Sequence, residues 1–208
     1  MSNREFKVAD GCKVPHLTGI EEGYGIDERK DGKYHIIVNV SVERLREVFL
    51  GLSALVSPPT FGIIECPTRE PEEKKLWKDG SKVFHRNVYY RDNTSIGDLT
   101  RIFSLNPDLF VHDGMTTFGF ARKNILDEVF VGKYKILKIL TTEPQKYIQY
   151  LDGLGLELRV PLKTVWDNFS DEVPGKSIRM YYDGEDIYGL IDRLKSEGFF
   201  FFDYREEE

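Results

Sequence analysis

Four histidines, two cysteines and a run of carboxylates among tyrosines are the side chains of this 208-residue sequence best suited to chemistry. His16, His35, His85 and His112 stand in no HExxH, His-x-His or Cys/His spacing of the kind that holds zinc. Cys12 and Cys66 lie far apart without a CxxC, so each is read as a plain thiol in a reducing compartment. His112-Asp113-Gly114 falls in a predicted loop, where an imidazole beside a carboxylate is an acid/base pair with room for a substrate. The structural reading of the same residues is a polar turn closing 106–115. His35 and His85 fall in predicted strands and are expected as neighbours on one sheet face. His35, His85, His112 and Asp113 therefore form one candidate set, for an enzyme or small-molecule binder with its site between two halves of the chain.

The carboxylates suggest a different class of function. Asp171, Glu172, Asp183, Glu185 and Asp186 gather near the C-terminus, followed by Asp203 and the glutamates at 206–208. Tyr181 and Tyr188 stand among them as aromatic anchors. Acid beside exposed aromatic suits a basic partner protein, with the carboxylates steering and the rings supplying contact area. The bland alternative is a solvated charge run, with Asp183, Glu185 and Asp186 favoured at a helix N-terminus by the dipole. The formal charge is −6, from 35 acidic and 29 basic residues, which disfavours a phosphate-backbone binder. The resulting expectation is a non-catalytic protein that sequesters a basic partner as an immunity protein or antitoxin does. It needs no cofactor or metal, binds neither nucleic acid nor membrane, and is a monomer or homodimer.

Composition supports a folded chain. Hydrophobic residues make up 40% and aromatics 13%, enough apolar surface for a packed core. No window approaches the ~18 apolar residues of a membrane span, and the first thirteen residues carry no apolar run. A cytoplasmic location is expected. No GxGxxG, GxxxxGK[ST] or GxSxG is present. Phe118-Gly119-Phe120-Ala121 resembles a fragment of the RNP1 motif of RNA-recognition domains. It would fall on a fourth strand rather than the third and lacks the basic lead residue, so core strand aromatics explain it better.

The elements that must position these residues read most clearly at 177–204. Ile187, Leu190, Ile191 and Leu194 recur at i, i+3, i+4 and i+7, the stripe of one buried helix face. A strand with an Asp183-Gly184 turn precedes this helix, while Gly198 and four phenylalanines follow it. Shifted by 92 residues, the pattern repeats at 88–104; shifted by 100, Tyr34, Ile36 and Glu43 match Tyr134, Ile136 and Glu143. A hairpin is expected at 24–41, with Asp31-Gly32 as a two-residue type I′ turn. A charged loop is expected at 67–81. The whole reads as α+β with two tandem ferredoxin-like βαββαβ halves packed as one globule. An N-terminal extension with the hairpin arm covers 1–33, the halves cover 34–125 and 130–208, and a joint lies at 124–132. The stretches 134–140 and 199–202 are apolar on both faces, so both faces of each sheet should be covered, by a second copy or, as is expected here, by the two halves covering each other.

Overall fold

Alternating β-branched and aromatic residues build a wide sheet here, and amphipathic helices are laid on one of its faces. The computed structural model of the chain describes residues 5–77 and 82–207. In order these form β1 (Cys12–Lys13), β2 (Gly23–Glu28), β3 (Tyr34–Asn39), α1 (Val42–Ser53), β4 (Thr60–Pro67), α2 (Glu72–Leu76), β5 (His85–Asp92) and α3 (Ile96–Phe103). There follow α4 (Pro107–His112), β6 (Thr117–Arg122), β7 (Asp127–Val131), β8 (Leu137–Thr141), α5 (Pro144–Gly153), β9 (Lys176–Ser177), α6 (Ile187–Ser196) and β10 (Phe200–Glu206). The class is α+β.

The two expected sheets are a single one. Its order is β10-β5-β4-β6-β7-β8-β3-β2, with every neighbouring pair antiparallel. In a ferredoxin-like half the strand before the first helix pairs with the third and fourth strands of its own unit, which here are β5 and β6. Here β3, which would have to lie beside the partners of β4, pairs instead with β2 and β8. The segment expected as a joint, 124–132, contains β7, which pairs with β6 and β8 and makes the two parts of the chain one ladder. Its opening Asp127-Glu128 reads as linker in the sequence, because two carboxylates are poor strand formers. At an offset near 100 the strand-then-helix order of β3 and α1 recurs as β8 and α5, but the matched tyrosines fall at different places in the two. Tyr34 begins β3, whereas Tyr134 lies in a 3-10 turn with φ 56°.

Local signals hold better. Ile187, Leu190, Ile191 and Leu194 are all buried, and Asp186 caps α6 by accepting the N–H groups of Tyr188 and Gly189. Ser95 and Asp98 form a reciprocal capping box on α3. Asp183 and Gly184 both have positive φ, and Tyr182 pairs with Glu185 across them, the two-residue turn that Asp-Gly favours. The β2–β3 hairpin forms in the expected place with a longer loop. Arg29 N–H bonds to Lys33 O, and only Gly32 in that loop has positive φ, a three-residue connection in place of a type I′ turn. The charged loop expected at 67–81 contains α2, and residues 78–81 lie outside the described residues.

The main core lies between the sheet and helices α1, α3, α4, α5 and α6. Leu45, Phe49 and Leu52 of α1 meet Phe118, Ile36 and Ile139 of the sheet, with Phe49 and Phe118 edge to face at 4.9 Å. Phe118 and Phe120, the RNP1-like pair, point into this core. A second, smaller cluster lies on the opposite face and is built from sheet residues: Ile63, Val88 and Ala121, with Phe61, Tyr90 and Phe130 against them. No helix of the described residues contributes to it. The expectation that two halves cover each other is therefore corrected. With eight strands in one sheet, and β1 and β9 paired separately, the helices cover one face of the large sheet and the other is left to solvent.

The two edges differ. Beyond β2 the backbone of 157–159 adds a short parallel pairing, with Tyr24 N–H on Glu157 O at 3.0 Å and Arg159 N–H on Tyr24 O at 2.9 Å. At the other margin β10 has β5 alone beside it among the described residues.

Candidate functional site

The strand register assigns the residues of the helix-free face. One row crosses it as Asp92, Phe61, Ala121, Glu128, Leu140, His35 and Asp27. The next reads Phe200, Tyr90, Ile63, Gly119, Phe130, Lys138 and Ile37. A third holds Asp203, Val88, Glu65 and Thr117. Phe130 lies over Gly119, where a Cβ would meet its ring at 2.4 Å, so glycine there lets an aromatic fold flat onto the sheet. Phe202 stacks on Tyr90 at 4.3 Å and Phe61 meets Tyr90 at 5.2 Å, giving an aromatic band from β10 toward the middle of the sheet.

Charges interrupt this band in two ways. Arg86 is buried: its Nη2 donates to the carbonyls of Glu65 and Met115 and to Thr117 Oγ1, while its Nε makes no hydrogen bond among the described residues. Glu65 Oε2 lies 3.5 Å from Arg86 Nε, and Glu65 Oε1 lies 2.6 Å from Arg205 Nη1. The latter contact has poor hydrogen-bond geometry and acts as a charge pair. Glu128 differs. It is half-buried among Ala121, Leu140 and Phe61 and makes no hydrogen bond or ion pair among the described residues. Burial raises its pKa above the usual carboxylate value, with Arg205 pulling the other way and Glu65 adding to the rise. Lys138 and Asp27 on the same face are exposed and likewise unpaired.

The histidine set does not converge. His35 lies on the helix-free face of β3, and burial lowers its pKa, with Lys138 adding to the effect. His85 lies five strand spacings away on β5, about 24 Å, and on the opposite face. The expectation that His35 and His85 are neighbours is thus corrected, because β7, β8, β4 and β6 separate their strands. His85 Nδ1 meets the buried Glu73 at 2.9 Å, and Trp77 Nε1 donates to the same carboxylate. His112 turns its ring to Asp10, 3.2 Å away, whose other contact is the Tyr182 hydroxyl. Asp113 faces inward and is fully bonded: Oδ1 accepts from Met115 N, Thr116 N and Thr116 Oγ1, and Oδ2 from Met180 N. Those four bonds make it a structural tie between the turn after α4 and the 178–182 arm. A cleft beneath the N-terminal segment, lined by Phe6, Ala9, Asn39, Tyr134 and Lys135 among others, contains none of the four candidates.

The C-terminal acidic set divides. Glu185 accepts from Asn106 Nδ2 at 3.1 Å and pairs with Arg193. Asp186 caps α6 and lies 3.6 Å from Arg179 and 4.0 Å from Arg69. Tyr188 is buried, with the guanidiniums of Arg69 and Arg179 over its ring at 3.8 and 4.7 Å and its hydroxyl on Pro67 O. Asp171, Glu172, Asp183 and Tyr181 are exposed, and Tyr181 donates its hydroxyl to Gly184 O. The exposed members are available to a partner in this state; the engaged ones hold the chain together.

Sequence reasoning missed Glu128 because its strand reads as a linker. The available signal was the alternation Val129, Val131 inward against Glu128, Phe130 outward, a period of two over five residues.

No known protein family, curated protein or solved structure matches this chain. The geometry carries the functional reading.

Proposed function

We propose that this chain is a non-catalytic binding protein that sequesters a basic partner protein, in the manner of an immunity protein or antitoxin. The observation that carries the reading is the helix-free face, an aromatic band around the half-buried, unpaired carboxylate of Glu128. Apolar centres with aromatic anchors are where binding energy concentrates. A desolvated carboxylate with no partner costs the isolated chain stability, and an incoming Arg or Lys would supply the missing charge. Asp27 and Asp203 widen the negative field, while Arg205 is already engaged with Glu65. The exposed acids Asp171, Glu172 and Asp183 with Tyr181 belong to the same reading as steering groups, since long-range attraction does not require contact. The alternative of an enzyme or small-molecule binder using His35, His85, His112 and Asp113 has no convergent geometry in its support.

Affinity capture from the native host with wild-type protein and Glu128→Lys tests the proposal. A basic protein retained by the wild type and lost from a variant that keeps its melting temperature is the expected result. An acidic partner, or capture indifferent to Glu128→Lys, would overturn it.

A further inference from the structure

We infer that the basic partner adds an extended strand to the open edge of β10, antiparallel to it, as a ninth strand of the sheet; this rests on the reading of the chain as a binder of a basic protein. All seven residues of β10 are exposed, including Phe200 at 43%, Phe201 at 43% and Phe202 at 56%. An edge strand this long and aromatic offers a row of unpaired backbone groups and is the usual substrate of strand addition. The opposite edge, β2, is paired at Tyr24 by the chain's own 157–159 segment. The β10 edge has no backbone partner along its whole length among the described residues.

Charge decides the occupant. Along β10 the first half is aromatic and the second carries Asp203, Arg205 and Glu206. Arg205 is held by Glu65, whereas the side chain of Asp203 bonds only to the N–H of Tyr204 and Glu206 makes no ion pair among the described residues. The edge therefore presents carboxylates without counter-ions. A second copy would bring the same net charge of −6, so two copies repel each other on approach. The bulge between Phe201 and Asp203 further disfavours flat pairing of like edges. A heterologous strand with Lys or Arg opposite Asp203 and Glu206, and apolar side chains opposite Phe200 to Phe202, fits both halves. Run antiparallel, that strand reads basic first and apolar second.

The probe is a terminally blocked peptide of about seven residues, the length of one strand, with lysines at its first and fourth positions, opposite Glu206 and Asp203, and valine and tyrosine at its last three, opposite Phe202 to Phe200. The expected result has three parts: binding by fluorescence polarisation, slowed hydrogen exchange confined to β10 amides, and a monomeric protein by sedimentation. Asp203→Lys should weaken binding about tenfold, and Glu206→Lys is the second variant should the first fail to fold. A peptide with glutamate in place of lysine should not bind. No binding at about 1 mM, affinity unchanged in the charge-reversed variants, or β10 protected by self-association would each overturn the inference. Its failure is separable from failure of the functional reading. A host partner lost on Glu128→Lys, with the peptide failing, means a basic protein seated on the sheet face without strand addition.

Discussion

Asp113 Oδ2 accepts the backbone N–H of Met180 at 2.8 Å, joining the turn after α4 to the arm that leads into α6. With Oδ1 shared by Met115 N, Thr116 N and Thr116 Oγ1, the carboxylate replaces four solvent contacts in a buried position. Asp113→Ala should therefore cost about 3–5 kcal/mol, since each orphaned buried donor costs about 1–3 kcal/mol. Urea midpoints measure it. A loss under about 1 kcal/mol would return Asp113 to the list of functional groups.

Ile191→Ala removes a large aliphatic side chain from the centre of the α6 stripe and is expected to destabilise by about 2–5 kcal/mol. Asp192→Ala, exposed and paired only with Lys195, should stay within about 0.5 kcal/mol. Equal shifts in urea midpoint would contradict the helix face described here.

Tyr188 should register as a stability residue. Tyr188→Ala opens a buried site between Arg69 and Arg179 and is expected to cost about 3–5 kcal/mol, whereas Tyr188→Phe loses only the bond to Pro67 O, about 1 kcal/mol. Tyr181→Ala, exposed, should leave thermal stability unchanged. A binding defect in Tyr188→Phe without a stability change would reverse this assignment.

Glu128→Gln is expected to stabilise the chain by roughly 0.5–1 kcal/mol at neutral pH, because it removes a desolvated charge. The sign follows from a folded pKa above the unfolded one: the folded state holds the proton more tightly, so ionisation as pH rises erodes stability. The same variant should weaken capture of a basic partner. Denaturation at pH 7 beside binding separates the two effects, and a destabilised Glu128→Gln would mean the carboxylate is paired after all.

Lys135 gives a pH signature of opposite sign. Its ammonium is buried, bonded to Phe110 O and Thr116 O, and burial lowers its pKa to about 8 from an ordinary 10.5, with Cys12 and Asp113 raising it and Arg86 lowering it further. Between these values the unfolded chain binds more protons, so stability rises with pH. Cys12 and Cys66, pushed up by burial to about 11 and about 12 from 9.0, act oppositely above pH 9. Lys135 therefore dominates between pH 8 and 9, where wild type should gain about 1 kcal/mol relative to Lys135→Met. Parallel slopes for the two proteins would show that Lys135 does not titrate there.

Short-range features were readable from the residues themselves. The α6 stripe, the Asp183-Gly184 turn and the 24–41 hairpin each depend on side chains within one or two turns of each other. Backbone sterics and helical period fix such features whatever the rest of the chain does. Strand order, by contrast, depends on pairings between residues distant in sequence. Nothing local in Tyr34–Asn39 says that β3 joins β8 rather than β4, and nothing local in Asp127–Val131 says that two carboxylates begin a central strand. Apolar residues on both faces of a strand report only that both are shielded or sticky, not by what. The tertiary structure alone put all the helices on one face. In doing so it made Asp113 a buried tie, left His35 and His85 on opposite faces, and set Glu128 unpaired in an aromatic band. Side-chain chemistry is written in the sequence, but which groups meet is decided by how the eight-stranded sheet meets the helices packed on it.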